Sequence, residues 1–410
     1  MIRASRDEFL ERGFVICRGL IPPGDLETLR KSHEILVDRQ REVWASEARP
    51  GDPSGGIWET SAQPRLMINR MDGLHSKQTA DTIEFWLREN VHGLSSYLIS
   101  EEDCPPTEMM MMCNPVTDRG PAKWHRDFYP PLNAPLMAYV DDILETGPRY
   151  VQWNIPLYDD DVLWVIPGSH LRPNTEEENE SIKRDPCVAV PGGIQTHLKA
   201  GDGVAYILPI LHWGSNYSNR LRRTIHGGFS RLTNWESTSW IQYLEPSAQE
   251  TFRRWHKRAI GYMDYAIDAF QAVIAKDSKA YLAALEELFP KRGDKGVIKS
   301  TICLSKTAKH IYNHCCRDPE TLTENEKQGV TQVHPMTLQW GMPLSERFTA
   351  EEARMIWERF KPVDDVMQQK KLSLFPGFQG QETFYHFEKV PAEMTLENWF
   401  GSWESGRLDD

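Results

Sequence analysis

Trp124-His125-Arg126-Asp127-Phe128 is the stretch around which the rest of the chain is organised. Successive side chains of an extended strand point to opposite faces, so His125 and Asp127 should share one face, one pleat apart. An imidazole and a carboxylate held in this way are two of the three ligands of a facial iron(II) site. The third should be a later histidine on a strand that folds back alongside, and His212 is the candidate. Because His-x-Asp alone is a weak motif, the surrounding segments decide its meaning.

The composition describes an ordinary globular chain. Its 410 residues are enough for two domains. The 47 basic and 59 acidic residues give a net charge of −12, which argues against non-specific attraction to nucleic acid or to an anionic membrane. No apolar run approaches the length of a membrane span, and the first residues lack the apolar core of a signal peptide.

Cysteine usage is that of a reducing compartment. The seven cysteines are scattered and include no Cys-x-x-Cys pair, so a zinc ribbon or a redox motif is not indicated. We expect reduced thiols, among them the adjacent Cys315 and Cys316 in a helix or loop. A cytoplasmic location is therefore the expectation.

The first hundred residues show both helical and extended patterns. A short helical turn and a strand through Phe14-Val15-Ile16 are predicted, and Pro22-Pro23 predicts the start of a helix because proline suits the first helical turn. His33 lies on the apolar stripe of that helix, which favours a packed core histidine. A second long helix is predicted over residues 79–99, where apolar residues recur at helical spacing.

Strands dominate from residue 108 to about 240. Strands are predicted at residues 108–113, 150–157, 159–170, 204–208 and 222–231. Along residues 150–157 apolar and polar side chains alternate, so one face should be core and the other polar. The acidic segment 172–186 has the composition of a mobile surface loop without a partner.

Helical patterns dominate after residue 240. Apolar stripes at helical spacing predict two helices between residues 252 and 288, and Thr349 with Glu352 forms a capping box that opens a third. The aromatic tail from residue 376 is predicted to be irregular. We therefore predict a mainly β domain over residues 1–240 and a helical extension over residues 241–410, expected to act as a lid or as a dimerisation region.

The chain resembles the phytanoyl-CoA dioxygenase-like branch of the iron(II)- and 2-oxoglutarate-dependent oxygenases in five segments that follow the family order. They are FLERGFVICRGLIPPGDLETLR at 9–30, WHRDFYP at 124–130, VLWVIPGSH at 162–170, LKAGDGVAYILPILHWGSN at 198–216 and RRTIHGGF at 222–229. The resemblance implies a double-stranded β-helix core (jelly roll, cupin-like) with flanking helices. It does not cover the residues after about 240.

The resemblance also implies roles for particular residues. His125, Asp127 and His212 correspond to the iron ligands. Arg222 corresponds to the arginine that binds the far carboxylate of 2-oxoglutarate, a task that suits a guanidinium because it holds a carboxylate bidentately. Arg223 is the alternative, with a solvated or ion-paired surface arginine as its other interpretation.

Arg222 is preferred because its interval to Phe229 matches the family and because it shares a strand face with Thr224 and His226. Ser215 corresponds to a hydroxyl that supports the cosubstrate, with Gly214 as the competing position.

The remaining histidines and tryptophans have structural interpretations beside functional ones. His386 precedes an acidic residue at the same spacing as His125, but no histidine follows it in the chain, so it is expected to be structural. His170 is expected to support the fold, and His226 either contacts a ligand or packs in the core. Trp124, Trp153 and Trp213 flank the candidate strands, where core packing is favoured over a pocket wall.

The expected activity is that of a dioxygenase that uses Fe(II), 2-oxoglutarate and O2 to hydroxylate a small or medium-sized metabolite, releasing succinate and CO2. An intact Asp127 favours hydroxylation over halogenation, because related halogenases have a small residue there. Desaturation, cyclisation and epimerisation remain open, and so does a cupin-like scaffold without turnover. A coenzyme A thioester is disfavoured, because beyond Arg220 and Arg223 no basic cluster is apparent for its phosphates.

Overall fold

The structure is a computed structural model that describes residues 5–127, 129, 132–233, 235, 237–374, 377 and 382–404. Phe128 and Pro130 of the segment 124–130 lie outside the described residues, as do residues 375–376, 378–381 and 405–410 of the tail region. The strands are β1 Phe14–Cys17, β2 Arg65–Met67, β3 Pro106–Cys113, β4 Tyr150–Pro156, β5 Leu163–Val165, β6 Ile194–Gln195, β7 Gly203–Tyr206, β8 His212–Gly214, β9 Arg223–Ser230, β10 Val333–His334, β11 Gln339–Trp340, β12 Gln368–Leu374 and β13 Glu382–Tyr385.

Helices lie mainly at the two ends of the chain. They are α1 Arg6–Arg12, α2 Pro23–Ser46, α3 Ile57–Thr60, α4 Asp81–Glu84, α5 His92–Ile99, α6 Leu136–Thr146, α7 Glu176–Arg184, α8 Pro246–Ala275, α9 Ser278–Leu288, α10 Asp294–Cys316, α11 Glu324–Thr331, α12 Gly341–Ser345, α13 Ala350–Met367 and α14 Leu396–Ser402. Among the described residues, no helix combines the length and apolar content needed to cross a bilayer.

The chain folds into two compact units. The first, here the β-sheet unit, consists of Met1–Arg126 and Pro148–His256, and the second, here the helical unit, consists of Asp127–Gly147 and Lys257–Asp410. The division at residue 240 stays a prediction.

Two antiparallel sheets form the centre of the β-sheet unit. The larger has the strand order β1-β7-β4-β9-β3-β2 and the smaller the order β6-β5-β8. Their facing side chains share one apolar cluster, which includes Phe14 of the larger sheet and Val165 of the smaller. Two sheets that bury one common core in this way form a sandwich. The predicted strands are thus present in an antiparallel arrangement, but the strand predicted over residues 159–170 is limited to β5, and a 3-10 turn at Ser169–Leu171 follows it.

The helix predicted over residues 79–99 is not continuous. It is replaced by α4, a 3-10 turn at Phe85–Leu87 and α5. Arg88 is extended, with ψ 139°, and its guanidinium lies 2.6 Å from the carboxylate of Asp25 in α2. Asn90 donates to the carbonyl of Leu20 at 3.3 Å. These contacts with a distant segment outweigh the local helical pattern, so the single-helix prediction is wrong.

The acidic segment 172–186 also differs from its prediction, because it contains α7. Thr175 caps this helix and forms a capping box with Glu178, which is buried and paired with Arg172 at 2.7 Å. One turn later on the same face of the helix, Ile182 packs in an apolar cluster with Trp124 and Trp213. The segment therefore contains a helix that packs against the smaller sheet. Its many acidic residues made the amphipathic pattern of this helix hard to recognise in the sequence.

The helical unit packs around α10. Tyr139 of α6 and Cys303 of α10 place their hydroxyl and thiol 3.9 Å apart. The capping box of Thr349 and Glu352 opens α13, as predicted. The tail, predicted to be irregular, contains the strand β13 and the helix α14. All seven cysteines are free thiols, and Cys315 and Cys316 end helix α10.

Candidate metal centre

The backbone of residues 124–127 directs alternate side chains to opposite faces. Trp124 packs against Trp213 at 5.5 Å between ring centroids, and Arg126 is fully buried. The guanidinium of Arg126 donates to the carbonyls of Ser169, at 2.7 Å, and Pro209. These buried anchors hold the segment and leave His125 and Asp127, both half-buried, on the other side.

His212 is brought to His125 by backbone pairing. The two residues form an antiparallel bridge with two backbone hydrogen bonds of 3.0 Å each. On its other edge His212 pairs with Val165 of β5. Residues that pair directly across antiparallel strands lie on the same face, and the two imidazole rings accordingly lie 4.3 Å apart.

The three candidate ligand atoms converge. One nitrogen each of His125 and His212 and one oxygen of Asp127 lie within 4.8 Å of one another. The Nδ1 of His125 donates to the carbonyl of Lys123 at 2.6 Å, and the Nδ1 of His212 donates to that of Ile210 at 3.0 Å. This tautomer leaves the lone pair on Nε2, the state a metal requires. Two neutral imidazoles and one carboxylate are a donor set that fits iron(II).

Arg222 is buried, with 4% of its surface exposed. Its Nε donates to Asp160 at 2.7 Å, and the hydroxyl of Thr224 donates to the same carboxylate oxygen at 2.6 Å. Both terminal nitrogens lie 3.9 Å from the sulfur of Met112, and the ring of Tyr217 lies 5.5 Å from the guanidinium carbon. The two terminal nitrogens of the fork therefore point at weak acceptors, while Asp160 holds only the Nε side.

Asp160 remains charged in spite of its burial. Burial alone would raise the pKa of this carboxyl group, but the charge of Arg222, the hydrogen bond from Thr224 and the backbone N–H of Val162 together hold it below its ordinary value. An ionised Asp160 fixes the orientation of the guanidinium. Asp160 and Tyr217 were not singled out from the sequence, although the run Asp159-Asp160-Asp161 could have drawn attention to that position.

Arg223 faces the other side of β9 and is ion-paired. Its Nε lies 2.7 Å from a carboxylate oxygen of Glu34, and its Nη1 donates to the carbonyl of Arg222 at 2.9 Å. Its guanidinium carbon also lies 5.8 Å from the centroid of the Trp58 ring, a cation–π contact. It is ion-paired, as its structural interpretation required, but buried instead of lying at the surface.

Ser215 donates its hydroxyl to the carbonyl of Val162 at 3.1 Å, and its backbone N–H donates to the same oxygen at 2.8 Å. This contact ties the end of β8 to β5. A Cβ atom at Gly214 would lie 2.1 Å from the hydroxyl of Tyr217, so a larger residue at this position would require the Tyr217 side chain to move. A role for Ser215 toward the cosubstrate stays a prediction.

A polar row lines the inner face of the larger sheet. Gln152 donates to the hydroxyl of Tyr206 at 2.8 Å, and its amide nitrogen lies 3.3 Å from Nε2 of His226. His226 in turn bonds Asn154 at 2.6 Å. The ring of Tyr206 lies 5.6 Å from that of His212. The polar face predicted for residues 150–157 therefore belongs to the same interior as the histidine ligands.

The other histidines have structural surroundings. His170 is buried against α1, where its Nε2 bonds the carbonyl of Leu10 at 2.9 Å, and burial lowers its pKa to about 4. His33 is buried with its Nδ1 on the carbonyl of Leu29 at 2.8 Å. Trp124, Trp153 and Trp213 all lie in the core, and their indole nitrogens donate to Val188, Ser95 and Ala122.

No family model and no curated protein sequence matches the chain. It is similar to solved structures that include AviO1 from Streptomyces viridochromogenes Tue57, at 19% identity and a TM-score of 0.39 over 55% of this chain and 92% of AviO1. HygX from Streptomyces hygroscopicus, crystallised with nickel and 2-oxoglutarate bound, matches at 15% identity and a TM-score of 0.40 over 57% of this chain and 90% of HygX.

The epimerase SnoN, crystallised with Fe3+, alpha ketoglutarate and nogalamycin RO, matches at 15% identity and a TM-score of 0.36 over 55% of this chain and 81% of SnoN. At these values the likeness assigns no activity, and the function proposed below rests on the chain's own residues.

Proposed function

We propose that the chain is an Fe(II)- and 2-oxoglutarate-dependent dioxygenase of the phytanoyl-CoA dioxygenase-like group with a jelly-roll core. The observation that supports the proposal most strongly is the convergence of His125, Asp127 and His212, whose ligand atoms lie within 4.8 Å of one another. Two imidazoles with their Nδ1 atoms engaged by carbonyls, beside one carboxylate, form the facial set that non-heme iron oxygenases use.

Each residue has a stated task in this proposal. His125 and His212 bind iron through Nε2, and the carbonyls of Lys123 and Ile210 keep that nitrogen in place. Bound iron(II) would supply the oxidative chemistry, with 2-oxoglutarate and O2 as cosubstrates and succinate and CO2 as coproducts. Arg222 binds the far carboxylate of 2-oxoglutarate with its two terminal nitrogens, because a planar fork matches a carboxylate.

Hydroxylation of an unactivated C–H bond of a small or medium-sized metabolite is the proposed reaction. Desaturation, cyclisation and epimerisation use the same iron site, and substrate placement decides between them at roughly ångström precision. The mass change of the product distinguishes these reactions. A cytoplasmic location stays a prediction, and so do the roles of residues 241–410 as a lid or in a homodimer.

The alternative from another class is a non-catalytic scaffold with the same core. It predicts that substitution of Asp127 leaves cellular function intact. The donor set argues against this alternative, because a scaffold has no need for two imidazoles whose Nδ1 atoms are both fixed and whose rings face each other.

The test measures iron content and succinate formation from 2-oxoglutarate in the purified full-length chain. Wild type is expected to bind one iron(II) per chain and to release succinate. In His125→Ala the affinity for iron and the rate of succinate formation are both expected to fall by roughly 100-fold or more. His386→Ala is the matched control, since it also removes an imidazole but from a half-buried site without ligand geometry. A wild type that binds no iron and consumes no 2-oxoglutarate with any substrate rules the proposal out.

A further inference from the structure

Lys306 is a buried lysine in the middle of helix α10. Only 4% of its surface is exposed. Its ammonium lies 3.8 Å from the centroid of the Tyr385 ring, a cation–π contact. It forms no hydrogen bond or ion pair with any residue in the described part of the chain. A lysine is almost never buried without a partner, so the burial of Lys306 is unusual.

The neighbouring charges do not balance Lys306. Lys299, two turns earlier on α10, pairs with the buried Asp142 of α6. Lys309, one turn later, lies 3.8 Å from the carboxylate of Asp364 in α13. Each of the two aspartates is thus engaged by another lysine, and the group carries one positive charge in excess.

Asp364 is also the nearest acid to Lys306, but its oxygens are already occupied. Oδ1 accepts from the hydroxyl of Tyr385 at 3.1 Å, and Oδ2 accepts from the amide of Gln368 at 2.7 Å. Burial and the charges of Lys306 and Lys309 lower the pKa of His310, the next residue on this stripe, to about 4. His310 is therefore neutral at pH 7, and Glu326, which also faces it, is paired with Arg317 at 2.7 Å.

Lys306 keeps its proton at neutral pH. Burial lowers its pKa to about 8, against the attraction of Asp364, so the ammonium form still predominates at pH 7. A buried charge without a counter-charge is costly, and buried charges in proteins are usually paired. The excess charge in the helical unit therefore has the sign and the surroundings that an anion requires.

The amide of Gln339 is a second buried polar group without a hydrogen-bond partner among the described residues, and it follows a residue that contacts helix α10 next to Lys306. Thr307, the residue after Lys306, donates to the carbonyl of Leu338 at 2.9 Å and so holds strand β11 against α10. The next residue, Gln339, is 1% exposed, and neither polar atom of its amide has a hydrogen-bond partner. Buried amides are almost always hydrogen-bonded, so a polar ligand is indicated here as well.

We propose that the helical unit binds the carboxylate or phosphate group of a small molecule at the ammonium of Lys306. The site lies entirely on elements of this unit, namely α10, α13 and β13. The test of this proposal needs neither iron nor 2-oxoglutarate. It also gives residues 257–410 a ligand-binding role beyond that of a lid or dimer interface.

The test measures the melting temperature of the metal-free full-length chain at pH 7 as inorganic phosphate or acetate is added, with the ionic strength held constant by sodium chloride. Wild type should show a saturable rise of roughly 2 °C or more with at least one probe, because a ligand that binds only the folded state stabilises it. The probe that acts at lower concentration identifies the preferred anion.

Lys306→Met should abolish the rise, since methionine fills the space of the stem without the charge. Lys295→Met is the matched control, because Lys295 lies on the same helix but is exposed, and it should keep the wild-type rise. Lys306→Gln serves if the first variant does not fold. The proposal is overturned if wild type shows no saturable rise with either probe, or if the rise persists without Lys306, which would locate binding at another cation such as Arg222.

Discussion

Arg222 in the β-sheet unit and Lys306 in the helical unit are equally buried cations in opposite electrostatic situations. Arg222 has Asp160 at 2.7 Å, with Thr224 supporting that carboxylate. Lys306 contacts the face of the Tyr385 ring and forms no ion pair with an acid among the described residues. In the β-sheet unit the charge of Arg222 is thus balanced by Asp160, and the two terminal nitrogens of the guanidinium are left with weak acceptors. In the helical unit the charge of Lys306 is in excess. Burial alone therefore does not define a binding site, and the balance of charge around the buried group has to be considered as well.

Removal of Asp160 should have the largest effect on stability. Asp160→Ala leaves the guanidinium of Arg222 buried without a counter-charge, and breaking a buried pair in this way costs about 3–5 kcal/mol. Asp161→Ala is the control, since Asp161 pairs with the more exposed Arg220 at 2.8 Å, and it should cost about 1 kcal/mol or less. Urea unfolding followed by tryptophan fluorescence measures both, and equal losses in the two variants would contradict the balanced-pair account.

Lys306 should make the protein more stable as the pH rises, whereas a lysine paired with an acid makes it less stable. Its pKa is lowered from 10.5 to about 8 in the folded state. Between these values the unfolded chain still holds a proton that the folded chain has released, so folding becomes more favourable as the pH rises, by about 3 kcal/mol in total.

Lys306→Met should therefore be more stable than wild type at pH 7 in phosphate-free buffer, and this advantage should disappear by about pH 10.5, where the free lysine is also neutral. Thermal unfolding at a series of pH values measures the difference. A methionine variant that is less stable than wild type at pH 7 would show that Lys306 is compensated.

The two adjacent arginines should differ in their effect on the cosubstrate. Arg222→Lys removes the planar fork and should raise the KM for 2-oxoglutarate by roughly 10- to 100-fold. Arg223→Lys, which lies on the opposite face and pairs with Glu34, should change it by less than about threefold. Succinate formation at varied 2-oxoglutarate concentration measures both, and the reverse order would make Arg223 the anchor.

Ser215→Ala should have the smallest effect. Its hydroxyl donates to the carbonyl of Val162, so its loss should cost about 1 kcal/mol of unfolding free energy and leave the KM for 2-oxoglutarate unchanged. A rise in KM at unchanged stability would instead support the cosubstrate role suggested by family resemblance. The same two assays decide between these outcomes.

Local periodicity predicted much of the fold because it acts within a few residues. The alternation along residues 150–157 predicted β4 and its polar face, and the Thr349–Glu352 box predicted the start of α13. The same kind of signal in Thr175–Glu178 was outweighed by the run of acidic residues around it. Arg88 shows that local periodicity can also predict too much structure. Its contact with the distant Asp25 interrupts a helix that the local pattern predicts to be continuous.

The amino-acid sequence alone predicted the residue types of the candidate site and the shared face of His125 and Asp127, because a strand repeats every two residues. Three further features depend on the folded chain: His212 pairs with His125, Asp160 pairs with Arg222, and Lys306 is buried without an ion pair among the described residues. Those outcomes depend on contacts between residues far apart in the chain and on how much water each contact excludes. Neither quantity is encoded in any short segment.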